Sequence, residues 1–406
     1  AHAVHLDQGQ PIADRRAEQA RAGPGPARAL ARMPGGAESR RCIMSTFAVH
    51  VVRAIIEPHG NADALEVARV GDYRSVVRKG QFATGDLVAY IPEQALVPEP
   101  LLDELGLKGK LSGKDGNRVK AIKLRGVLSQ GLVYAARATW SEGQDVAAEL
   151  GIVKWEPPVP AHMNGQVYGA GPDRCAKYDI ENVKAFPDAL QDGEPVVFTE
   201  KIHGTWCQLG LVPDGAAGEH GPLIVSSKGL AGKGLAFVPG APENATNLYL
   251  RVARHLDIES RLRAAFAAEL AAGSPVLVLG EVFGAGVQDL SYGAKTEQDR
   301  TLGFRVFDIY VGWFGQGGYL SDAPLEAACA ALGLPRVPVL YRGPFTRAAM
   351  LEYTDGKETV SGQALHVREG VVVRPQVERY LPELGRVQLK SVSEKYLLRS
   401  GGTEYN

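Results

Sequence analysis

Cysteine is scarce in this chain, and its four residues, Cys42, Cys175, Cys207 and Cys329, stand far apart with no Cys-x-x-Cys pair. That spacing argues against a disulfide framework and a zinc knuckle and suits a reducing compartment, so a cytoplasmic location is expected. No apolar run approaches the length of a membrane span, and no membrane partner is expected. Charge of one sign is also lacking. The formal net charge is -1, which gives no global attraction for nucleic acid and leaves any such binding to local basic patches. Phosphate-cradling loops are present only as fragments, Gly293-Ala294-Lys295-Thr296 and Gly232-Lys233-Gly234. Neither has the four-residue spacer before Gly-Lys-Ser/Thr, which excludes a P-loop enzyme.

What remains is an ordinary composition for a chain of 406 residues, 45% hydrophobic and 22% charged, long enough for two domains with their own cores. Residues 1–45 are rich in Ala, Arg, Gly and Pro without apolar periodicity, and read as a disordered tail. A secretory signal would need an apolar centre, and Asp7, Asp14, Glu18 and Glu38 count against a transit peptide. The folded chain is expected to begin near Met44, itself a candidate initiator. From 46 to 138 short alternating segments, among them Leu65–Val70, Leu87–Ile91 and Leu132–Ala135, are punctuated by turns such as Pro58-His59-Gly60-Asn61 and Asp115-Gly116-Asn117. Five or six such strands with a short helix near Leu101–Leu105 describe a small all-β barrel of the oligonucleotide-binding (OB) type. Between Leu107 and Gly126 lie Lys108, Lys110, Lys114, Arg118, Lys120, Lys123 and Arg125, with Asp115 the only acid. This stripe is either a track for nucleic-acid phosphates or a solvated face, and no interleaved aromatics argue for base stacking. Residues 139–171, with Trp155-Glu156-Pro157-Pro158, read as a linker.

The second domain, 172–400, mixes strands and helices without regular βαβ alternation, so the fold class is α+β. Its centre is Phe198 to Trp206, Phe-Thr-Glu-Lys-Ile-His-Gly-Thr-Trp. Glu194-Pro-Val-Val reads as a strand that delivers Lys201 to its end, where Gly204 lets the backbone turn sharply. A lysine held near apolar walls and other cations loses proton affinity, and its neutral amine can attack a carbonyl or a phosphorus. Lys201 is therefore the candidate catalytic nucleophile, against the plainer reading of a strand-end surface lysine.

Lys201-Ile202-His203-Gly204-Thr205, preceded by Glu200, resembles the lysine motif of the covalent nucleotidyltransferases, in the form used by phage-type nick-sealing RNA ligases. Four later stretches resemble that family's motifs in order. They are Leu279-Gly280-Glu281-Val282-Phe283-Gly284, Gly303-Phe304-Arg305-Val306-Phe307-Asp308-Ile309, Glu369-Gly370-Val371-Val372-Val373-Arg374 and Val387-Gln388-Leu389-Lys390-Ser391. The resemblance implies a catalytic domain of antiparallel, ATP-grasp-like sheets preceded by the barrel. It also implies ATP as cofactor, with Glu200, His203, Gly204, Lys228, Glu281, Phe304, Glu369, Val372 and Lys390 around it. Phe304 is implied to lie on one face of the adenine and Val372 on the other, while Phe307 reads as simple core packing. Glu281 and Glu369 are implied to hold Mg2+ or Mn2+ through water, and Lys390 the α-phosphate.

An RNA or RNA-containing nicked duplex with 3′-hydroxyl and 5′-phosphate ends is the implied partner, joined by a monomer through lysyl-AMP in RNA repair. Lys228 and Lys390 are expected to lower the Lys201 pKa and to neutralise the triphosphate. Two residues depart from the family pattern. Gln388 stands where a lysine is usual, and His203 where many relatives carry Asp; a neutral imidazole does not repel a phosphate and can donate to one. Two other readings share parts of the pattern: a GTP-dependent capping-type transferase, and a nucleic-acid-binding protein with a decayed ligase domain.

Overall fold

The computed structural model describes residues 47–213, 221–293 and 302–402. The proposed disordered tail and most of the Gly293–Thr296 fragment lie outside these residues. The N-terminal part is a barrel of short antiparallel strands: β1 (Val51–Arg53), β2 (Ile55–Pro58), β3 (Leu65–Val70), β4 (Tyr73–Arg78), β5 (Leu87–Ile91) and β6 (Leu132–Ala135). They form a β2-β3-β4 sheet and a β1-β5-β6 sheet. The β1-β5-β6 sheet is covered on both faces: Val88 and Val133 pack with Ala68, Val70 and Val77, and Ala89 and Ile91 pack on the other face with Val49 and Val51.

Part of the expected linker belongs to the barrel. Trp140, Val146, Leu150 and Ile152 pack in its core with Val49, Val51 and Leu101. A short strand, Val153–Lys154, then pairs with Ala95–Leu96. The apolar residues of 140–152 are separated by turns and not by a regular period, which hid their burial. Further on, Val167–Gly169 pairs with Leu235–Phe237 of the second domain, so the stretch between the two packed units is much shorter than 139–171.

The second domain is built on two five-stranded sheets. One contains β7 (Pro195–Lys201), flanked by Val339–Pro344 and by β11 (Gly370–Pro375), with β12 (Leu389–Val392) beyond. The other contains β8 (Thr205–Leu211), β9 (Val276–Phe283) and β10 (Gly303–Val311) in that order. Every residue of β8 and nearly all of β9 are buried, because one face meets the other sheet and helices Leu248–His255 and Ile258–Ala265 pack on the side of the other. The chain passes from the first sheet to the second through Ile202-His203-Gly204, so Lys201 is the last residue of one sheet at the crossing point. Behind β7 and β11, Phe198, Val371, Val373 and Leu389 pack with Phe345 and Met350.

The barrel is docked on this domain. The Asp72 N–H donates to the Lys184 carbonyl at 3.2 Å, the Lys184 ammonium donates to Gln130 and Arg347 pairs with Asp72. Gly71 has φ of +54°, and a Cβ there would lie 2.9 Å from the Lys184 carbonyl oxygen, so the approach needs glycine.

Candidate active site

A cavity of about 240 Å3 opens between the two sheets beside the crossing point. Lys201, Gly204, Lys228, Glu281, Val372 and Lys390 all line it. The ladder explains why: Thr199, Val372 and Lys390 form one row across the first sheet, and pleating turns the whole row to the same face.

Lys201 Nζ donates to Glu369 Oε1 at 2.7 Å. Burial pushes the amine down, but the charges of Glu369 and Glu281 and the Glu369 hydrogen bond outweigh it and hold the pKa above the ordinary lysine value. The expectation that neighbouring cations depress Lys201 is corrected here, because the carboxylates lie closer. The lysine that is depressed is Lys390, by burial first and then by Lys201 and Lys228. Lys228 itself is paired with Asp179 at 2.9 Å.

Glu281 accepts the Gly204 N–H at 3.1 Å, and burial pushes its pKa up to about 8 against the pull of Lys201. A Cβ on Gly204 would sit 2.2 Å from the Val282 carbonyl oxygen, so glycine is required where the crossing strand touches β9. Glu369 is buried, and its Oε2 has no hydrogen-bond partner. A half-buried carboxyl group and a buried one with an orphaned oxygen suit a hard divalent cation held partly through water. Among the described residues no group of three or more His, Cys, Asp or Glu is arranged to enclose a metal, as expected where water and a ligand's phosphates complete the coordination.

Three expected nucleotide contacts lie elsewhere. Glu200 borders the cavity, but it falls in the row with Val371 and Ser391 on the opposite face of the sheet. Its carboxylate accepts from Thr359 N at 2.8 Å and Thr359 Oγ1 at 2.6 Å. His203 does not line the cavity. Its ring is engaged by Asp289 at 2.8 Å and by the Tyr396 hydroxyl at 2.8 Å, which leaves it no free nitrogen for a phosphate. Phe304 packs into the core against Gly280, where a Cβ would meet its ring at 2.2 Å.

Of the two phenylalanines of β10, Phe307 is the one that lines the cavity. The β9–β10 register skips it, Val306 facing Gly280 and Asp308 facing Leu279. At such a bulge two consecutive side chains, Phe307 and Asp308, turn to the same side. Alternation from Arg305, which pairs with Glu281, already turns Phe307 to the cavity and Phe304 away from it, and the bulge brings Asp308 to the cavity side as well. The expectation of Phe304 against the base and Phe307 in the core is corrected. Tyr178, Trp206, Arg374 and Gln388 also line the cavity; the last three stand within the motif stretches without an expected contact there, Gln388 only as a departure from the family pattern, and Tyr178 carries no signal of its own. Tyr178 stands 5.2 Å from Phe307 and 6.4 Å from Trp206 between ring centres, so the cavity wall holds an aromatic cluster, with Trp206 paired across the strands with Glu281.

Of the basic stripe, Arg118 is buried with its guanidinium 3.8 Å from the Trp155 ring centre, which removes it from the nucleic-acid candidates. Lys108 is paired with Glu99 and Asp103. Lys110, Lys114, Lys123 and Arg125 are exposed and Lys120 is half-buried.

Residues 194–392 match the RNA ligase family model, and residues 48–136 match an OB-fold domain model. Among solved structures, Naegleria gruberi RNA ligase with PPi is similar, with a TM-score of 0.70 at 24% identity over 87% of this chain and 98% of that one. Two variants of that ligase, one with AMP and Mn and one with ATP and Mn, give TM-scores of 0.69 and 0.68 at 23% identity with the same coverage. At this identity the likeness shows a shared fold. No curated protein sequence matches the chain.

Proposed function

We propose, because residues 194–392 match the RNA ligase family model, that this protein is an ATP-dependent RNA ligase that seals breaks between a 3′-hydroxyl and a 5′-phosphate, nicks in a duplex included. The observation that carries the reading is the position of Lys201. Its amine ends a strand at a cavity lined by aromatic residues for a base, two lysines for phosphates and Glu281, and it is itself paired with Glu369, the two carboxyl groups being the ones for a cation.

In the first step the neutral Lys201 amine attacks the α-phosphorus of ATP, a bond from Nζ to phosphorus forms, and pyrophosphate leaves with the electrons of the broken bond. Lys228 and Lys390 face the triphosphate charge, which favours both binding and departure. Glu281 and Glu369 would hold a divalent cation, which would supply charge neutralisation at the phosphates. Lys201 rests as an ammonium on Glu369, so its proton must leave before attack. In the second step a 5′-phosphate oxygen takes the AMP from Lys201 and releases the amine. The 3′-hydroxyl then attacks the activated 5′-phosphorus, and AMP leaves as the phosphodiester forms.

The barrel is read as the module that holds nucleic acid, through Lys110, Lys114, Lys120, Lys123 and Arg125. Among the described residues no helix is long and apolar enough to cross a membrane. Nicked duplexes with either RNA or DNA on the 3′-hydroxyl side test the substrate class, since the 2′-hydroxyl is the group that distinguishes them. Preferential sealing of the RNA-ended nick is expected; equal sealing of both would make the protein a DNA ligase.

A further inference from the structure

Gln388 is the departure from the family pattern that the reaction above leaves without a role. It lines the cavity and is 6% exposed. Its Nε2 donates to the Tyr178 hydroxyl, and that hydroxyl donates to Asp308 Oδ2 at 2.8 Å. Asp308 also receives Arg374 at 3.2 Å and Arg386, and a carboxylate between two guanidiniums only accepts. Tyr178 has one proton and gives it to Asp308, so its oxygen must accept from the amide NH2. The amide cannot flip without setting two acceptors against each other. Gln388 Oε1 is thereby left buried on the cavity wall, and it has no partner.

The orphan acceptor belongs to a side chain beside the aromatic residues of the cavity lining, since its anchor, Tyr178, packs against Phe307 and Trp206. A buried carbonyl oxygen left unpaired is unfavourable, and a ligand donor that reaches it recovers that loss. A lysine at this position would offer no acceptor and would add a cation beside Arg374 and Arg386.

We propose that Gln388 selects the nucleobase, its Oε1 accepting a hydrogen bond from the exocyclic amine of the base that lies against Phe307. This rests on the reading that the cavity binds a nucleoside triphosphate. A 6-amino purine supplies the donor, a purine with hydrogen at that position leaves Oε1 unpaired, and a 6-oxo purine sets oxygen against oxygen.

The test is the rate of covalent labelling of the full chain from ATP, purine riboside triphosphate and ITP. In the unmodified protein ATP is expected to exceed each analogue by at least about tenfold, the scale of one buried hydrogen bond. Gln388→Met should bring both ratios toward one. Tyr178→Phe, which releases the amide to rotate, should relax the rejection of ITP in particular. Ratios are taken within each protein, so a smaller folded fraction in a variant cancels. Equal labelling from ATP and the 6-hydrogen analogue, or Gln388→Met with unaltered ratios, overturns the role of Gln388 while leaving the ligase reading intact. An absence of labelling from every nucleotide overturns both.

Discussion

The Lys201 amine and the Glu369 carboxylate are joined at 2.7 Å, so the group that must become a nucleophile is held in its protonated form by the group expected to face the cation. Glu281 adds to the same field from the facing sheet. Replacing either glutamate by glutamine keeps the shape and removes the charge. Half-maximal adenylation should then need about tenfold more divalent metal, or the rate should fall by a similar factor, as for residues that act on a metal through water. A metal titration of each variant checks this, and an unchanged dependence would remove Glu281 or Glu369 from the metal site.

Gly204 tolerates no side chain, because its Cβ position lies 2.2 Å from the Val282 carbonyl oxygen. Gly204→Ala should force the crossing strand away from β9 and break the bond from Gly204 N to Glu281. We expect a loss of about 1–3 kcal/mol in stability, the usual scale of overpacking, with adenylation reduced more than folding. Thermal unfolding and labelling of the same sample separate the two.

His203 provides a pH signature. Burial, opposed by Glu369 and Asp289 and aided by Arg399, holds its imidazole below the ordinary histidine value. The unfolded chain takes up a proton near about pH 6.5 and the folded one only at lower pH. The contribution to stability is therefore full above about pH 6.5 and is lost as pH falls through the folded-state value. The melting temperature of the unmodified protein should drop more steeply between about pH 7.5 and about pH 5.5 than that of His203→Gln; parallel curves would show that the ring does not titrate in this way.

Charge reversal at Lys110, Lys114, Lys123 and Arg125 tests the barrel. Each side chain that contacts a phosphate should lower the slope of affinity against salt by about one when removed. Sealing should weaken, while lysine labelling, which takes place in the other domain, should hardly change. Sealing at the original rate would leave these residues as a solvated face.

Much of this was legible in the chain. Local patterns carry the strands Leu65–Val70, Leu87–Ile91 and Leu132–Ala135 and the helix Asp322–Leu332, since each is bounded by turn or cap residues. Asn247–Ala272 reads as one helix, yet it is broken at Asp257, which adopts φ of +45°. Motif order drew attention to Lys201, Glu281, Glu369 and Lys390 because the chemistry needs those residue types whatever surrounds them. What stayed hidden depends on sheet geometry. The pairing of Arg305 with Glu281 that turns Phe307 and not Phe304 to the cavity, the parity that turns the Glu200 carboxylate away, and the pairing of His203 with Asp289 and Tyr396 arise from partners 86 to 193 residues distant or from a register that no local window contains.

The central claim is that Lys201 carries the AMP. Incubation of the full chain with α-labelled ATP and a divalent metal, followed by denaturation and peptide mapping, measures it directly. The account predicts acid-labile label on the peptide containing Lys201, stable to base as a phosphoramidate is, and none in Lys201→Ala. Label that persists in Lys201→Ala, or that maps to another residue, would contradict it.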